Sequence, residues 1–266
     1  MTGSKPDPRD VSGLLLDIDG VLTVSWRALP GAPEALARVS SSGIPFLLLT
    51  NTTELTRADV VERLRNAGFR VRREDVMTAP TLTAAYLRSS HPGARCLVLS
   101  AVDLTEDLEG IELVEDEADV VVIGGATEPF GAEVANRAFR MLLEGAALVL
   151  MHRSPSWMTD QGMTLDAGVM LAAGLEQATG REAVVCGKPS PECFRASLSL
   201  LDLPPERAAM VGDDLRNDVL AAQSVGLTGV LVRTGKFREA DLESSSRVPD
   251  FVIDSVAILP ELLRPM

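Results

Sequence analysis

The chain has 266 residues, 46% of them hydrophobic, enough for one large domain or two modest ones. Its formal net charge of −13 argues against nucleic acid or membrane as a partner, and any anionic substrate would have to be met by local cations. No apolar run approaches the ~20 residues that span a bilayer, and Cys96, Cys186 and Cys193 form no CxxC pair, so neither a disulfide framework nor a zinc site is expected.

Residues 1–10 are polar, lack the basic-then-apolar order of a signal peptide, and read as a flexible N-terminus of a reduced, cytoplasmic chain. Leu14-Leu15-Leu16-Asp17 has no polar alternation, which suits a strand buried on both faces of a parallel sheet. It runs into Asp17-Ile18-Asp19-Gly20, where period-two alternation puts Asp17 and Asp19 on one side. Gly20 permits a sharp exit with positive φ. Pro30 to Ser42 reads as a helix, and Ile44 to Leu49 as a second apolar strand ending in Thr50-Asn51-Thr52-Thr53. Thr56 and Asp59 then open a helix carrying Val60, Val61, Leu64 and Ala67 before Gly68 stops it.

From Thr78 the β-α pattern continues without reactive residues at the strand ends. Cys96 to Leu99, Val120 to Ile123 and Ala147 to Met151 read as strands, and Ala132 to Leu143 and Leu165 to Ala178 as helices. The acid-rich Asp103 to Asp119 reads as a solvated face. Residues 78–181 are therefore expected to form an inserted α/β domain, with 11–77 and 182–266 forming the domain it interrupts. In that second half, Ala183 to Cys186 is a short strand leading to Gly187-Lys188-Pro189. Ser190 and Pro191 open a helix, and the strand Ala208 to Val211 ends in Gly212-Asp213-Asp214. A helix to Val225 and a strand at Val230 to Val232 follow.

Strand ends thus carry Asp17 and Asp19, then Thr50 and Asn51, then Lys188, then Asp213 and Asp218. In one parallel sheet these converge on a crevice at the carboxyl ends of the strands. Several carboxylates there repel one another unless a divalent cation sits among them, and oxygen-only ligands suit Mg²⁺. Thr50, the amides around Asn51, and Lys188 are donors for phosphate oxygens. Lys188 stands out in a chain with only three lysines, the others being Lys5 and Lys236.

In their order these motifs resemble those of the haloacid dehalogenase (HAD) superfamily. Asp17-Ile18-Asp19-Gly20-Val21-Leu22, Thr50-Asn51, Gly187-Lys188-Pro189 and Gly212-Asp213 to Asp218 look like its first to fourth motifs. The insert is similar to the cap of the NagD-like and para-nitrophenylphosphatase-like branch (subfamily IIA). Leu49 to Thr53, Val211 to Asp214 and Arg233-Thr234-Gly235-Lys236-Phe237 look most like the phospholysine phosphohistidine inorganic pyrophosphate phosphatases. The resemblance implies an α/β fold with a Rossmann-like parallel-sheet core and an inserted α/β cap domain of the IIA type. It implies a Mg²⁺-dependent phosphatase acting on a small phosphorylated metabolite, a phosphomonoester or else a phosphoamide or pyrophosphate, and it is compatible with a homodimer. Asp17 would be the nucleophile and a metal ligand. Asp19 would be the acid/base, with its carbonyl on the metal, and Asp213 would complete the metal site. Thr50, Asn51, Thr52 and Lys188 would grip phosphate. Asp218 would support Lys188 or a metal-bound water, with Asp214 either beside it or serving as a turn cap. A phosphotransferase using the same aspartyl-phosphate, or a non-catalytic binder of phosphometabolites, remains open.

The loop His152-Arg153-Ser154-Pro155-Ser156-Trp157 holds one of two histidines and one of two tryptophans. Its position is similar to the cap loop that meets the leaving group in related phosphatases. His152, Arg153 and Trp157 are thus the candidate specificity residues, the alternative being that they are structural.

Overall fold

In the computed structural model, which describes residues 7–159 and 162–263, the strand Gly13–Asp17 lies inside a six-stranded sheet. The order is Phe251–Ile253, Thr228–Val232, Ala208–Gly212, Gly13–Asp17, Phe46–Thr50, Val76–Thr78. The pairings from the first of these through Phe46–Thr50 are parallel. Leu14, Leu15 and Leu16 have no exposed surface, as their unbroken apolar run requires. Register does the rest. Leu16 pairs with Val211 and Asp17 with Leu49, so Asp17, Thr50 and Asp213 lie together at the carboxyl ends of neighbouring strands.

Helices flank this sheet. Ala32–Ser41 buries Ala32, Ala35, Leu36 and Val39, a stripe at helical spacing. Pro191–Leu201 starts as its sequence dictates, with the Ser190 side chain accepting from Glu192 N–H and Pro191 in the first turn. It buries Phe194 completely, a contribution of roughly 1.5–3 kcal/mol.

The chain divides into two compact units. The first comprises the residues up to Thr50, Ala58–Met77 and those from Lys188 on; the second comprises Asn51–Arg57 and Thr78–Gly187. In the second unit a parallel sheet runs Val184–Val185, Ala147–Leu150, Val120–Ile123, Arg95–Leu99, Glu112–Leu113. Both its faces are covered, which explains its non-alternating strands. Val121, Ile123, Leu148 and Leu150 pack with Leu142 and Leu175, while Val120, Val122 and Val149 pack with Leu87 and Leu104. The three cysteines are buried.

Several elements differ from expectation. The strand before Lys188 is confined to Val184–Val185 and pairs with Ala147–Leu150, so it belongs to the second unit's sheet and not to the one containing Gly13–Asp17. Ser156–Thr159 and Gly162–Leu165 form an antiparallel hairpin, so the next helix begins at Ala167 behind the cap Asp166. The acid-rich segment contains the short strand Glu112–Leu113. After Asp214 the helix opens with a π-helical turn, Leu215–Leu220, before Ala221–Ser224. Of the N-terminal stretch, residues 1–6 lie outside the described residues and Pro8–Asp10 form a 3-10 turn.

Candidate active site

The site grows from the turn after Gly13–Asp17. Gly20 has φ +87°, and its N–H donates to Thr23 O at 2.6 Å. A Cβ on Gly20 would collide with the Asp213 carboxylate and come within 3.0 Å of the Gly235 Cα. Gly235, at φ +61°, is equally constrained: a side chain there would strike Asp213 and Gly20. The two glycines let two loops close over one carboxylate. Thr234 Oγ1 donates to Gly20 O at 2.5 Å, and Lys236 N–H donates to Asp213 Oδ2 at 2.6 Å.

Asp17, only 7% exposed, faces Lys188, whose Nζ lies 2.5 Å from Asp17 Oδ1 and 2.9 Å from Asp218 Oδ1. Asp17, Asp213 and Asp218 each offer an oxygen, all within 4.8 Å of one another. Burial pulls the Lys188 ammonium toward neutrality, but Asp17 and Asp218 outweigh it, and its pKa ends above the ordinary lysine value. Burial, then the charge of Asp17, pushes Asp213 up to about 7. Burial raises Asp218, Lys188 pulls it down and Asp17 raises it again, leaving it at about 6. Lys236, whose pKa the same three acids raise, is a second cation nearby, and two lysines still leave three buried acids one positive charge short. Asp213 Oδ1 is buried and has no hydrogen-bond partner, which is costly unless a cation meets it. Carboxylate oxygens without sulfur or imidazole fit a hard divalent ion such as Mg²⁺.

The other predicted residues fall into place around this centre or away from it. Asp19 follows the strand end and is exposed, its side chain outside the three-acid cluster. Thr50 ends its strand at 9% exposure; Asn51 and Thr52 are half-buried and belong to the second unit. Asp214 is a cap, its Oδ1 accepting from Arg216 N–H at 3.0 Å and Asn217 N–H at 2.9 Å. In the second unit His152 is buried against Asp166, with Nε2 3.4 Å from Oδ2. Arg153 makes a two-pronged bond to Glu176 at 2.9 and 2.7 Å. Trp157 lies on the hairpin opposite Thr164, and its side chain is outside the described residues.

Thr234 and Lys236 were not among the predicted site residues. The signal was present in Arg233-Thr234-Gly235-Lys236-Phe237, a Thr-Gly turn following an apolar strand, but nothing in the spacing tells that its backbone reaches Asp213.

Comparison with known proteins points to one family. The model of the haloacid dehalogenase-like hydrolase family matches residues 14–114, and a HAD-hydrolase-like model matches residues 185–259. A curated relative is haloacid dehalogenase-like hydrolase domain-containing protein 2 of Rattus norvegicus, 37% identical over 247 residues and covering 93% of each chain. Another is the phospholysine phosphohistidine inorganic pyrophosphate phosphatase of Danio rerio, 37% identical over 262 residues, covering 96% of this chain and 95% of that one. Among solved structures, the 4-nitrophenylphosphatase of Thermotoga maritima superposes with a TM-score of 0.88 at 28% identity, covering 97% and 99% of the two chains. NagD from E. coli K-12 superposes with a TM-score of 0.85 at 30% identity, covering 93% and 97%. The shared architecture is that of a hydrolytic enzyme. The chain belongs to the haloacid dehalogenase-like hydrolase family.

Proposed function

We propose that this enzyme is a Mg²⁺-dependent phosphatase of small phosphorylated metabolites, working through an aspartyl-phosphate on Asp17. The phosphatase class follows from relatives of near-complete coverage that are named as phosphatases. The observation that supports the mechanism is Asp17 pinned by Lys188 beside Asp213, whose buried Oδ1 lacks a partner.

In this reading Asp17 attacks phosphorus, a bond forms from its carboxylate oxygen, and the bond to the leaving oxygen breaks. Asp19, exposed beside the buried Asp17, gives that oxygen a proton and later takes one from the water that cleaves the aspartyl-phosphate. Lys188, Thr50, Asn51 and Thr52 hold the phosphoryl oxygens, and Asp218 holds Lys188 in line. Asp17, Asp213 and the Asp19 carbonyl would hold Mg²⁺, which when bound offsets the negative charge that gathers as an anion attacks an anion. Asp214 stays a cap.

Turnover of 4-nitrophenyl phosphate with Mg²⁺, and its loss with a chelator, is the direct check. A panel of phosphomonoesters, a phosphoamide and pyrophosphate then ranks the substrates; no turnover of any of them with Mg²⁺ present overturns the reading.

The hairpin around Trp157 is proposed to meet the substrate beyond its phosphate. Trp157→Ala is then expected to reorder the panel while leaving acetyl phosphate, which has little leaving group to contact, within about threefold of the parent. A parallel fall on all substrates would make the hairpin structural.

A further inference from the structure

Asn51–Arg57, the segment that follows Thr50, is counted with the second unit because that unit anchors it. Gly125 N–H donates to Thr53 Oγ1 at 3.0 Å. Thr127 Oγ1 donates to Glu54 Oε1 at 2.7 Å, and Arg57 N–H to Asp107 Oδ2 at 2.7 Å. The Thr53 anchor is the buried one, with Thr53 only 2% exposed.

Around that anchor three polar side chains crowd one glycine. A Cβ on Gly125 would sit 2.7 Å from each of Thr53 Oγ1, His152 Nε2 and Asp166 Oδ2. His152 Nδ1 accepts from Ser154 N–H at 3.2 Å, so a neutral imidazole carries its proton on Nε2, toward Asp166. Burial lowers the His152 pKa, against the pull of Asp166, and favours that neutral form. Asp166 Oδ1 is taken up by Val169 N–H at 2.9 Å and Ala126 N–H at 3.3 Å, at the start of the helix Ala167–Thr179. Its Oδ2, buried and without a hydrogen bond, has the His152 Nε2 as its facing group.

The same strand ends seat the other side of the segment. Gly187 N–H donates to Met151 O at 2.8 Å, and Asn51 Oδ1 lies so close to Gly187 that a Cβ there would be 2.7 Å from it. Met151 precedes His152. Thr53 thus lies against Gly125, two residues past Val120–Ile123, and Asn51 against Gly187, two residues past Val184–Val185.

We propose that Thr53, Gly125, His152 and Asp166 form a positioning network that fixes Asn51–Thr53 for phosphate binding, so that disturbing it slows every substrate alike. The proposal rests on the phosphatase reading above. It makes His152 a positioning residue, in place of the contact with the leaving group expected from its loop. A misplaced binding group costs rate on the shared phosphoryl step, whereas a lost leaving-group contact costs rate selectively.

Gly125→Ala is the sharpest test. Gly125 is outside the left-handed region, so the added methyl wedges three polar groups apart without backbone strain. Thr53→Val removes the acceptor at nearly constant volume and carries the test should Gly125→Ala fail to fold; Thr53→Ser retains the acceptor. With Mg²⁺, kcat/KM for 4-nitrophenyl phosphate, acetyl phosphate and pyrophosphate is expected to fall by a common factor of about tenfold or more in the first two variants. Thr53→Ser should stay within about threefold of the parent. Amide exchange of residues 51–57, followed by mass spectrometry, should quicken in the same two variants while the melting temperature shows the fold retained. A changed substrate ranking, or unchanged rates, overturns the proposal. So does unchanged exchange. A parent that turns over nothing would defeat the phosphatase reading instead, and the exchange measurement would still decide whether the network anchors the segment.

Discussion

Replacing Asp17 by Asn is expected to abolish turnover and leave the fold in place. The substitution removes the attacking oxygen's charge at nearly constant shape. Lys188 keeps its second partner, since Asp218 Oδ1 remains 2.9 Å away. It also removes the Asp17 charge that raises the pKa of Asp213 and Asp218. The melting temperature should therefore hold or rise while kcat falls by at least about 10³-fold, the scale of losing a nucleophile. Single-turnover and steady-state assays on an aryl phosphate check this. A variant within about tenfold of the parent removes Asp17 from the role of nucleophile.

Removal of positive charge should have the second largest effect. Lys188→Ala is expected to lower kcat/KM by at least about 10²-fold, the usual loss for one electrostatic partner of a transition state. It should also weaken the fold, because two buried carboxylates lose the ammonium between them at 2.5 and 2.9 Å. Breaking a buried pair from one side costs about 3–5 kcal/mol, so a lower melting temperature accompanies the lost rate. Added Mg²⁺ should raise the melting temperature of parent and variant alike, through the acids that remain. Chelation should stop the parent, Mg²⁺ should restore it, and Ca²⁺ should serve poorly because its larger, looser shell misplaces the attacking group. An enzyme indifferent to chelator would falsify the metal-dependent mechanism.

The sequence made the sheet legible wherever burial left no choice. Leu14 to Leu16 and Val120 to Ile123 are apolar on both faces, and both became central strands. The placement of the acids was legible for a related reason: charged groups directly after such strands emerge at their carboxyl ends, where Asp17 and Asp213 are found. Short and edge elements were not legible. Phe251–Ile253 and Glu112–Leu113 are too brief to show a period, and the pairing of Val184–Val185 is a long-range choice that no local pattern records. His152 was a candidate specificity residue because its loop holds a histidine and a tryptophan in a chain poor in both and is similar to a cap loop, a structural role being the alternative. Its actual surroundings, Asp166 and Gly125, are set by packing between distant segments. The Lys236 backbone contact with Asp213 escaped for the same reason: an N–H leaves no trace in residue type.

The buried cysteines have a practical consequence. Cys96, Cys186 and Cys193 are each about 1% exposed or less, and burial, helped by nearby Asp119 and Glu112, pushes the Cys96 thiol up to about 11. Thiolate is the reactive species, so the native chain offers alkylating and maleimide reagents almost nothing while folded. A single cysteine introduced on the surface should then take a fluorophore or spin label cleanly, with no need to delete the natural three. With one such cysteine in each unit, distances between the sheet built on Gly13–Asp17 and the sheet built on Val120–Ile123 become measurable in solution, on an otherwise unaltered enzyme.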